Sequence, residues 1–262
     1  MDDLTVAIRA AETGAEILAD RFGSTFHTDM KRRFDPVTEI DRLAEAAVVE
    51  TIRRHRPDDA ILAEESGAAM GGRRRWIVDP LDGTVNFVHG IPHIAVSVAL
   101  WEGDRPLVGV IVDPLRGERY AAAAGEGATL DGRPIRVSGV ARLEAAVVAT
   151  GFPYDHGDHG PAYAATLGAV LERVNGVRRF GSAALDLAWV AAGRYDGYFE
   201  LGIAPWDQAA GILIVREAGG VVTDVDGTPS IPETPMVVAT NGSVHGELRS
   251  TVAAHLPEHL RS

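Results

Sequence analysis

The sequence predicts a protein of mixed α and β structure, with a mostly antiparallel sheet in its first half and an α/β arrangement in its second. Between residues 60 and 137, apolar runs follow one another with only turn signals between them. After about residue 140, strand-like and helix-like segments alternate, as in βαβ units. The 262 residues are 46% hydrophobic, enough for a full core, and we place the boundary between the two halves at 1–140 and 141–262.

Two amphipathic helices are predicted before the first of these strands. Between about residues 2 and 21, apolar residues recur at helical spacing, at Leu4, Ile8, Ala11, Ala15 and Leu18. A second helix is expected to begin at Thr38, because "TEID" places Thr38 at a cap with Asp41 three residues later. The interval between the two helices is short and strand-like.

Six runs are predicted as strands between residues 60 and 137. They read "AILA", "RWIVD", "AVSVALW", "LVGVIVD", "RYAAAA" and "IRV". Turn signals stand between them at Gly103-Asp104 and at Asp131-Gly132. Runs joined by such short turns pair as neighbours, so we expect these strands to be antiparallel.

The second half alternates between strand and helix patterns. Strands are predicted at "AAVVATG", "GVRRF", "YDGYFE", "GVVTD" and "MVVAT", and helices at about residues 160–174, 183–192 and 206–218. Alternation of this kind predicts a βαβ layer.

Composition excludes several classes of function. At a net charge of −12 the chain lacks the positive surface that a nucleic-acid backbone requires, and the basic run "GRRRW" is short enough to be a solvated loop. The apolar runs are shorter than a membrane span and the N-terminus has no signal-peptide pattern, which predicts a cytoplasmic protein without membrane contact. The absence of cysteine leaves carboxylate, imidazole and carbonyl groups as metal ligands, which favours hard cations.

The stretch "WIVDPLDGTVNF" raises the question of function, because an apolar strand ends in two aspartates, Asp79 and Asp82. Two such carboxylates repel each other unless a positive charge lies between them. Acids also follow the strand "AILA", at Glu64-Glu65, and open a predicted helix, at Asp207. If Glu64 and the three aspartates converge, a phosphate dianion can enter only beside two or three divalent cations, and Mg²⁺ suits such a site.

Each of these residues also has an ordinary structural explanation. Asp41 alone is half of a capping box, Asp207 an acid at a helix N-terminus, and Glu65 a solvated or turn-stabilising side chain. "DPLDGT" alone is a proline turn followed by a helix cap. Lys31, the only lysine of the chain, is either a functional cation or a surface residue. Spacing along the sequence does not show whether the acids converge.

Three motifs, in this order and spacing, resemble those of the inositol monophosphatase family, within the magnesium-dependent, lithium-sensitive sugar-phosphatase superfamily. They are "ILAEESG", "WIVDPLDGTVNFVHGIPHIAVSVAL" and "PWDQAAGILIVREAGGVVTDVDG". The match extends nearly end to end, and "RRFGSAALDLAWVAAGRYDGYFE" is similar to the bacterial members in particular. The resemblance implies a layered αβαβα sandwich, with a mostly antiparallel N-terminal sheet and an α/β C-terminal half.

The resemblance also implies how the acids bind metal. One Mg²⁺ would lie between Glu64, Asp79 and the carbonyl oxygen of Leu81. A second would lie between Asp79, Asp82 and Asp207, and a looser third ion would share Glu64 through water.

Roles in catalysis and substrate binding follow from the same resemblance. Glu64 and Thr84 would orient the water that attacks phosphorus, Asp41 would hydrogen-bond the Thr84 hydroxyl, and Lys31 would face the metal loop. Glu200 would contact the inositol ring. The residues implied in substrate binding are Asp82, Gly83, Thr84, Gly181, Ser182, Ala183, Glu200 and Asp207.

The activity implied is Mg²⁺-dependent hydrolysis of inositol 1-phosphate to myo-inositol and phosphate, by a homodimer that Li⁺ inhibits. Histidinol phosphate and fructose 1,6-bisphosphate stay open as substrates, and so does a non-catalytic regulatory binding protein on the same fold. A phospho-aspartate mechanism at Asp224 of "VVTDVDGT" is disfavoured, because neither lysine nor aspartate follows Asp226. Asp226-Gly227 is better explained as a hairpin turn.

Overall fold

The computed structural model describes residues 1–32, 35–69, 72–152 and 156–256. Its helices are α1 Asp3–Arg21, α2 Glu39–His55, α3 Thr84–Val88, α4 His156–Leu171, α5 Ala183–Ala191, α6 Pro205–Glu217 and α7 His245–His255. Its strands are β1 Thr28–Arg32, β2 Asp35–Thr38, β3 Ala60–Ala63, β4 Gly67–Ala69, β5 Arg74–Asp82, β6 Ala95–Glu102, β7 Arg105–Asp113, β8 Glu118–Ala123, β9 Ala128–Leu130, β10 Arg133–Pro134, β11 Val147–Thr150, β12 Gly176–Arg178, β13 Gly197–Leu201, β14 Val221–Thr223 and β15 Met236–Thr240. None of the helices within these ranges is both long and apolar enough to span a bilayer.

The first two helices follow the sequence pattern. Thr38 caps α2, and the Asp41 carboxylate accepts from the backbone N–H of Thr38 at 2.9 Å, which completes a capping box. The predicted helix start at Thr38 is therefore confirmed. Between the helices, β1 and β2 form an antiparallel pair, as the strand-like interval indicated.

The first half contains an eight-stranded sheet in the order β10-β9-β8-β7-β6-β5-β3-β4. Its neighbours are antiparallel except β3 and β5, which run parallel. The expectation of antiparallel pairing is wrong for these two strands, because β4 pairs with β3 along the outer edge of β3. The chain then crosses to the inner edge, where β5 runs in the same direction as β3.

The predicted strand "IRV", at residues 135–137, is also wrong. The turn at Asp131-Gly132 has φ angles of 51° and 75°, and it closes a tight hairpin between β9 and β10. The chain then leaves the sheet, so that the Val137 N–H donates to the carbonyl of Ala218, just after α6. The segment therefore links the first sheet to the helical layer instead of extending the sheet.

The second half contains a five-stranded sheet in the order β12-β11-β13-β15-β14. β11 is parallel to β12 and β13, as βαβ units require, whereas β15 is antiparallel to both β13 and β14. The strands and helices predicted here are present, and α7 is an additional helix that the sequence pattern did not indicate. The Asp226-Gly227 turn follows β14, with a φ of 96° at Gly227.

Helices cover both faces of each sheet. Successive β5 residues point to opposite faces: Trp76 and Val78 pack with α1 and α2, and Ile77 packs with α5 and α6. The α5 and α6 layer also meets the second sheet at Tyr198 and Val237, and α4 and α7 cover the far face of that sheet. The order of layers is α1/α2, first sheet, α5/α6, second sheet, α4/α7. This is the predicted αβαβα sandwich.

Candidate metal centre

Three of the predicted acids converge. Ligand atoms of Asp79, Asp82 and Asp207 lie within 4.8 Å of one another. Asp79 and Asp82 come from the end of β5, where the pairing with β6 is interrupted between these two residues, and Asp207 comes from the first turn of α6. The question left open by the spacing is therefore answered for these residues.

Asp79 is buried, at 1% exposure, and its two oxygens differ. Oδ1 accepts from the backbone N–H of Leu81 at 2.9 Å, but Oδ2 has no hydrogen-bond partner in the part of the chain that the structure describes. Burial and the charges of Glu64, Asp82 and Asp207 raise the pKa of Asp79 well above its usual value. A buried carboxylate oxygen that faces other carboxylates needs a proton or a cation, so the donor set fits a hard divalent metal.

Asp82 is held by the start of α5. Its Oδ2 accepts from the Ser182 hydroxyl at 2.5 Å and from the backbone N–H of Ala184 at 2.8 Å. Burial raises the pKa of Asp82 to about 6, against the effect of these bonds. Gly181, Ser182 and the first residue of α5, Ala183, therefore lie beside the acidic cluster.

Gly83 follows Asp82 in a conformation that favours glycine. Its φ is 91°, and a Cβ there would lie 3.0 Å from the carbonyl oxygen of His93 and 3.2 Å from that of Gly181. This close approach lets the first residues of α3 reach the second half of the chain.

Glu64 is the first residue after β3, and its carboxylate faces Lys31. The Lys31 ammonium donates to Glu64 Oε1 at 2.9 Å and also contacts Glu65. Burial raises the pKa of Glu64 to about 7, although Lys31 opposes the shift. Burial works against the charge of Lys31, but the two glutamates raise its pKa overall. Lys31 is thus a cation at the candidate centre.

Asp41 has both of the roles considered for it. Its Oδ2 completes the capping box with Thr38, and its Oδ1 accepts from the Thr84 hydroxyl at 3.1 Å. The Thr84 hydroxyl is also 3.1 Å from the carbonyl oxygen of Leu81. Burial raises the pKa of Asp41. The structure therefore brings Asp41, Thr84 and Leu81 together at one side of the acidic cluster.

Glu200 lies at the end of β13 and accepts from the Tyr198 hydroxyl. Burial raises the pKa of Glu200 to about 7, and its charge raises the pKa of Asp207. A Cβ at residue 151 would overlap the Glu200 carboxylate, so Gly151 leaves the space that this side chain occupies. Glu200 therefore interacts electrostatically with the acidic cluster, through Asp207.

Two further acids belong to the surroundings of the site and were missed in the sequence. Asp186 on α5 is 1% exposed, and its Oδ1 has no hydrogen-bond partner among the described residues. Burial together with the charge of Glu200 raises its pKa well above the usual value. Glu45 on α2 is 5% exposed and binds the turn after β3. Both lie within helical patterns in which an acid is ordinarily solvated, and neither pattern signals burial.

The αβαβα fold and its acidic cluster are features of a class of metal-dependent phosphatases, the class that the sequence motifs resemble. A sequence profile of the inositol monophosphatase family matches residues 2–261. An inositol-1-monophosphatase of Synechocystis is 47% identical, over 95% of this chain and 87% of that protein. The Nus factor SuhB of Pseudomonas aeruginosa is 42% identical over 98% of both chains.

The structural comparison agrees with the sequence comparison. The crystal structure of the extragenic suppressor protein suhB from Bartonella henselae superposes with a TM-score of 0.91 at 42% identity, covering 95% of this chain and 97% of that chain. The chain belongs to the inositol monophosphatase family.

Asn86 joins the two halves of the candidate site, and its substitution by aspartate is expected to destabilise the fold. Its Nδ2 donates to the carbonyl oxygens of His93, at 2.8 Å, and Phe180, at 2.7 Å. Asn86→Asp would turn a buried carboxylate toward these carbonyls, and we expect a loss of about 3 kcal/mol in the free energy of unfolding, measured by urea denaturation. Asn175→Asp, at an exposed position, is the control, and equal effects of the two substitutions would contradict this account.

The pKa shifts predict how stability depends on pH. Burial raises the pKa of Glu64 and of Glu200 from 4.5 to about 7, so between these values the folded chain keeps protons that the unfolded chain releases. The free energy of unfolding of the metal-free protein should therefore fall as pH rises from about 4.5 to 7.

Divalent cations favour the ionised carboxylates, so the rise in Tm caused by Mg²⁺ should be larger at pH 7.5 than at pH 5. Thermal unfolding with Mg²⁺ and with EDTA measures both, and a Mg²⁺ effect that shrinks with rising pH would contradict the prediction.

Proposed function

We propose that the protein is a Mg²⁺-dependent phosphomonoester hydrolase that converts inositol 1-phosphate to myo-inositol and phosphate. The observation that carries the proposal is the convergence of Asp79, Asp82 and Asp207 within 4.8 Å. It is supported by membership of the inositol monophosphatase family and by the 47% identity to an inositol-1-monophosphatase.

The acids divide into the ligand sets that the motifs imply. Glu64, Asp79 and the Leu81 carbonyl would hold one ion, and Asp79, Asp82 and Asp207 a second, with a third sharing Glu64. When bound, two to three Mg²⁺ ions supply the positive charge that acidifies water and offsets the charge of the phosphate and the leaving oxygen. Asp79 belongs to both proposed sets, and its buried Oδ2 accepts no hydrogen bond from the described residues, which supports this assignment.

The remaining catalytic residues position groups around phosphorus. Asp41 accepts from the Thr84 hydroxyl, which leaves the Thr84 oxygen free to accept from the attacking water, and Glu64 is proposed to orient the same water. Lys31 would keep Glu64 ionised through its bond of 2.9 Å. These side chains come from separate elements, and proximity of this kind lowers the entropic part of the barrier.

Substrate contacts are proposed on both halves of the chain. Asp82, Gly83, Thr84 and Asp207 would face the phosphate and its ester oxygen, and Gly181, Ser182 and Ala183 would line the ring side with Glu200. The bond of Ser182 to Asp82 supports this placement, because it keeps the ring-side loop beside the acids. We propose the boundary near residue 140 as the division between these halves, since β10 ends at Pro134 and β11 begins at Val147.

A regulatory protein that binds without catalysis is the second candidate, because a relative of 42% identity is named a Nus factor.

Under the main proposal the protein acts in the cytoplasm as a homodimer, without nucleic acid or membrane as ligand, and Li⁺ inhibits it at one of the metal positions. Histidinol phosphate and fructose 1,6-bisphosphate are the alternative substrates.

Phosphate release from a panel of phosphomonoesters tests the proposal. The purified protein is assayed with inositol 1-phosphate, histidinol phosphate and fructose 1,6-bisphosphate, each with Mg²⁺, with EDTA and with Mg²⁺ plus Li⁺. We expect the highest kcat/KM for inositol 1-phosphate and no turnover in EDTA. A preference for another substrate would replace the assignment, and absence of turnover on all of them would favour the regulatory candidate.

A further inference from the structure

Glu45 is a buried acid to which the proposed chemistry gives no role. It lies on α2, four residues after Asp41, and is 5% exposed. Residues four apart share one face of a helix, so Asp41 and Glu45 face the same side. Burial of a carboxylate is costly unless it is hydrogen-bonded, so the partners of Glu45 indicate what it stabilises.

Both oxygens of Glu45 accept backbone N–H groups from the turn after β3. Oε2 accepts from Glu65 at 2.7 Å and Oε1 from Ser66 at 2.9 Å. These are the two residues directly after Glu64. The backbone N–H of Glu64 in turn donates to the carbonyl of Val78 on β5, at 3.2 Å. The main chain is therefore fixed on both sides of the Glu64 Cα, to β5 on one side and to α2 on the other.

The bonds of Glu45 differ from those of Lys31 to the same turn. Lys31 binds the Glu64 carboxylate itself, with its ammonium nitrogen 2.9 Å from Oε1, and so acts directly on the proposed ligand group. Glu45 uses only main-chain donors and leaves both carboxylate oxygens of Glu64 available. Its charge makes these bonds stronger than bonds from a neutral acceptor. Glu45 can therefore hold the turn in place without competing with a cation.

We propose that Glu45 is a positioning residue, which fixes the turn that carries Glu64 so that this carboxylate faces Asp79 before a cation binds. The inference rests on the proposed metal-dependent function. Without the two bonds, the turn must become ordered when the cation binds. The conformational entropy that the turn then loses lowers the affinity for the cation. Groups that orient metal ligands in this way typically change metal affinity by about 10- to 100-fold.

Glu45→Gln tests the inference with little change of volume. The amide oxygen accepts one N–H, but the amide NH₂ meets the second N–H and cannot accept from it. Mn²⁺ is titrated into metal-free protein, and the EPR signal of the free ion gives the Kd. We expect the Kd to rise by about 10- to 100-fold, with kcat largely recovered at saturating metal. Glu50→Gln is the matched control, because Glu50 is an exposed residue of α2 that pairs with Arg54, and its Kd should equal that of the unchanged protein.

The outcomes separate this inference from the proposed function. An unchanged Kd in Glu45→Gln, with only a lower Tm of the metal-free protein, would overturn the inference and leave the metal site intact. Absence of Mn²⁺ binding by the unchanged protein would overturn the metal site and the inference with it. A raised Kd without hydrolysis of any phosphomonoester would support the inference and overturn the proposed activity. If Glu45→Gln does not fold, Glu45→Asp keeps the charge but is too short to reach both N–H groups, and the same rise in Kd is expected.

Discussion

Asp207→Asn is expected to lower kcat by more than about 100-fold at saturating Mg²⁺ while the fold persists, because it removes a proposed ligand of the second ion without removing volume. The asparagine oxygen still accepts the bond that Ala204 N–H now donates to Asp207 at 3.1 Å. Burial and the charges of Asp82, Glu64 and Glu200 raise the pKa of Asp207, so loss of its charge should not lower the Tm of the metal-free protein. Phosphate release and thermal unfolding measure the two effects.

Asp224→Asn is the control for this substitution. The Asp224 carboxylate accepts from the backbone N–H groups of Asp226, at 2.9 Å, and Thr228, at 2.8 Å, in the turn after β14. It is therefore a turn-stabilising residue, and asparagine should preserve activity. Full activity in Asp207→Asn would exclude Asp207 as a ligand. Loss of activity in Asp224→Asn would instead favour the phospho-aspartate mechanism that the sequence disfavours.

Glu200→Ala is expected to separate two kinds of substrate. For inositol 1-phosphate, kcat/KM should fall by about 10- to 150-fold, because bonds between ring hydroxyls and a carboxylate are worth about 1.5–3 kcal/mol. For an aryl phosphate, which has no ring hydroxyls, kcat/KM should change little, since the metal ligands are untouched. Steady-state kinetics on both substrates measure the difference.

Two other outcomes would contradict this role of Glu200. Equal losses on both substrates would mean that Glu200, a half-buried residue that accepts from Tyr198, supports the fold or the metal ions. No loss on either substrate would mean that the inositol ring is bound elsewhere. Tyr198→Phe removes the bond within the protein and leaves the carboxylate, so it should have a smaller effect on inositol 1-phosphate than Glu200→Ala.

Local signals made much of the fold predictable. The capping box at Thr38 and the hairpin turn at Gly103 depend on neighbours in the sequence, and both are present. The error at residues 135–137 arose because Ile135 and Val137, which pack against the core on either side of a charged residue, alternate as the residues of a half-buried strand do. The parallel pairing of β3 and β5 depends on which edge β4 occupies, and no local pattern encodes that choice.

The candidate site was predictable where acids interrupt strong structural patterns. Asp79 and Asp82 end a buried strand, and Asp207 opens a helix, so each stands out from its surroundings. Glu45 and Asp186 do not stand out, because an acid within a helix is ordinarily solvated. Their burial results from contacts with segments that lie distant in the sequence. Glu45, for example, accepts a hydrogen bond from the turn at Glu65.

Anomalous diffraction from crystals soaked with Mn²⁺ and phosphate tests the central claim most directly, because it locates the ions without relying on activity. The account predicts at least two Mn²⁺ peaks, one between Glu64, Asp79 and the Leu81 carbonyl and one between Asp79, Asp82 and Asp207. Phosphate should lie against both ions, on the side of Thr84. Absence of Mn²⁺ from these carboxylates, or its presence only at other acids of the chain, would contradict the account.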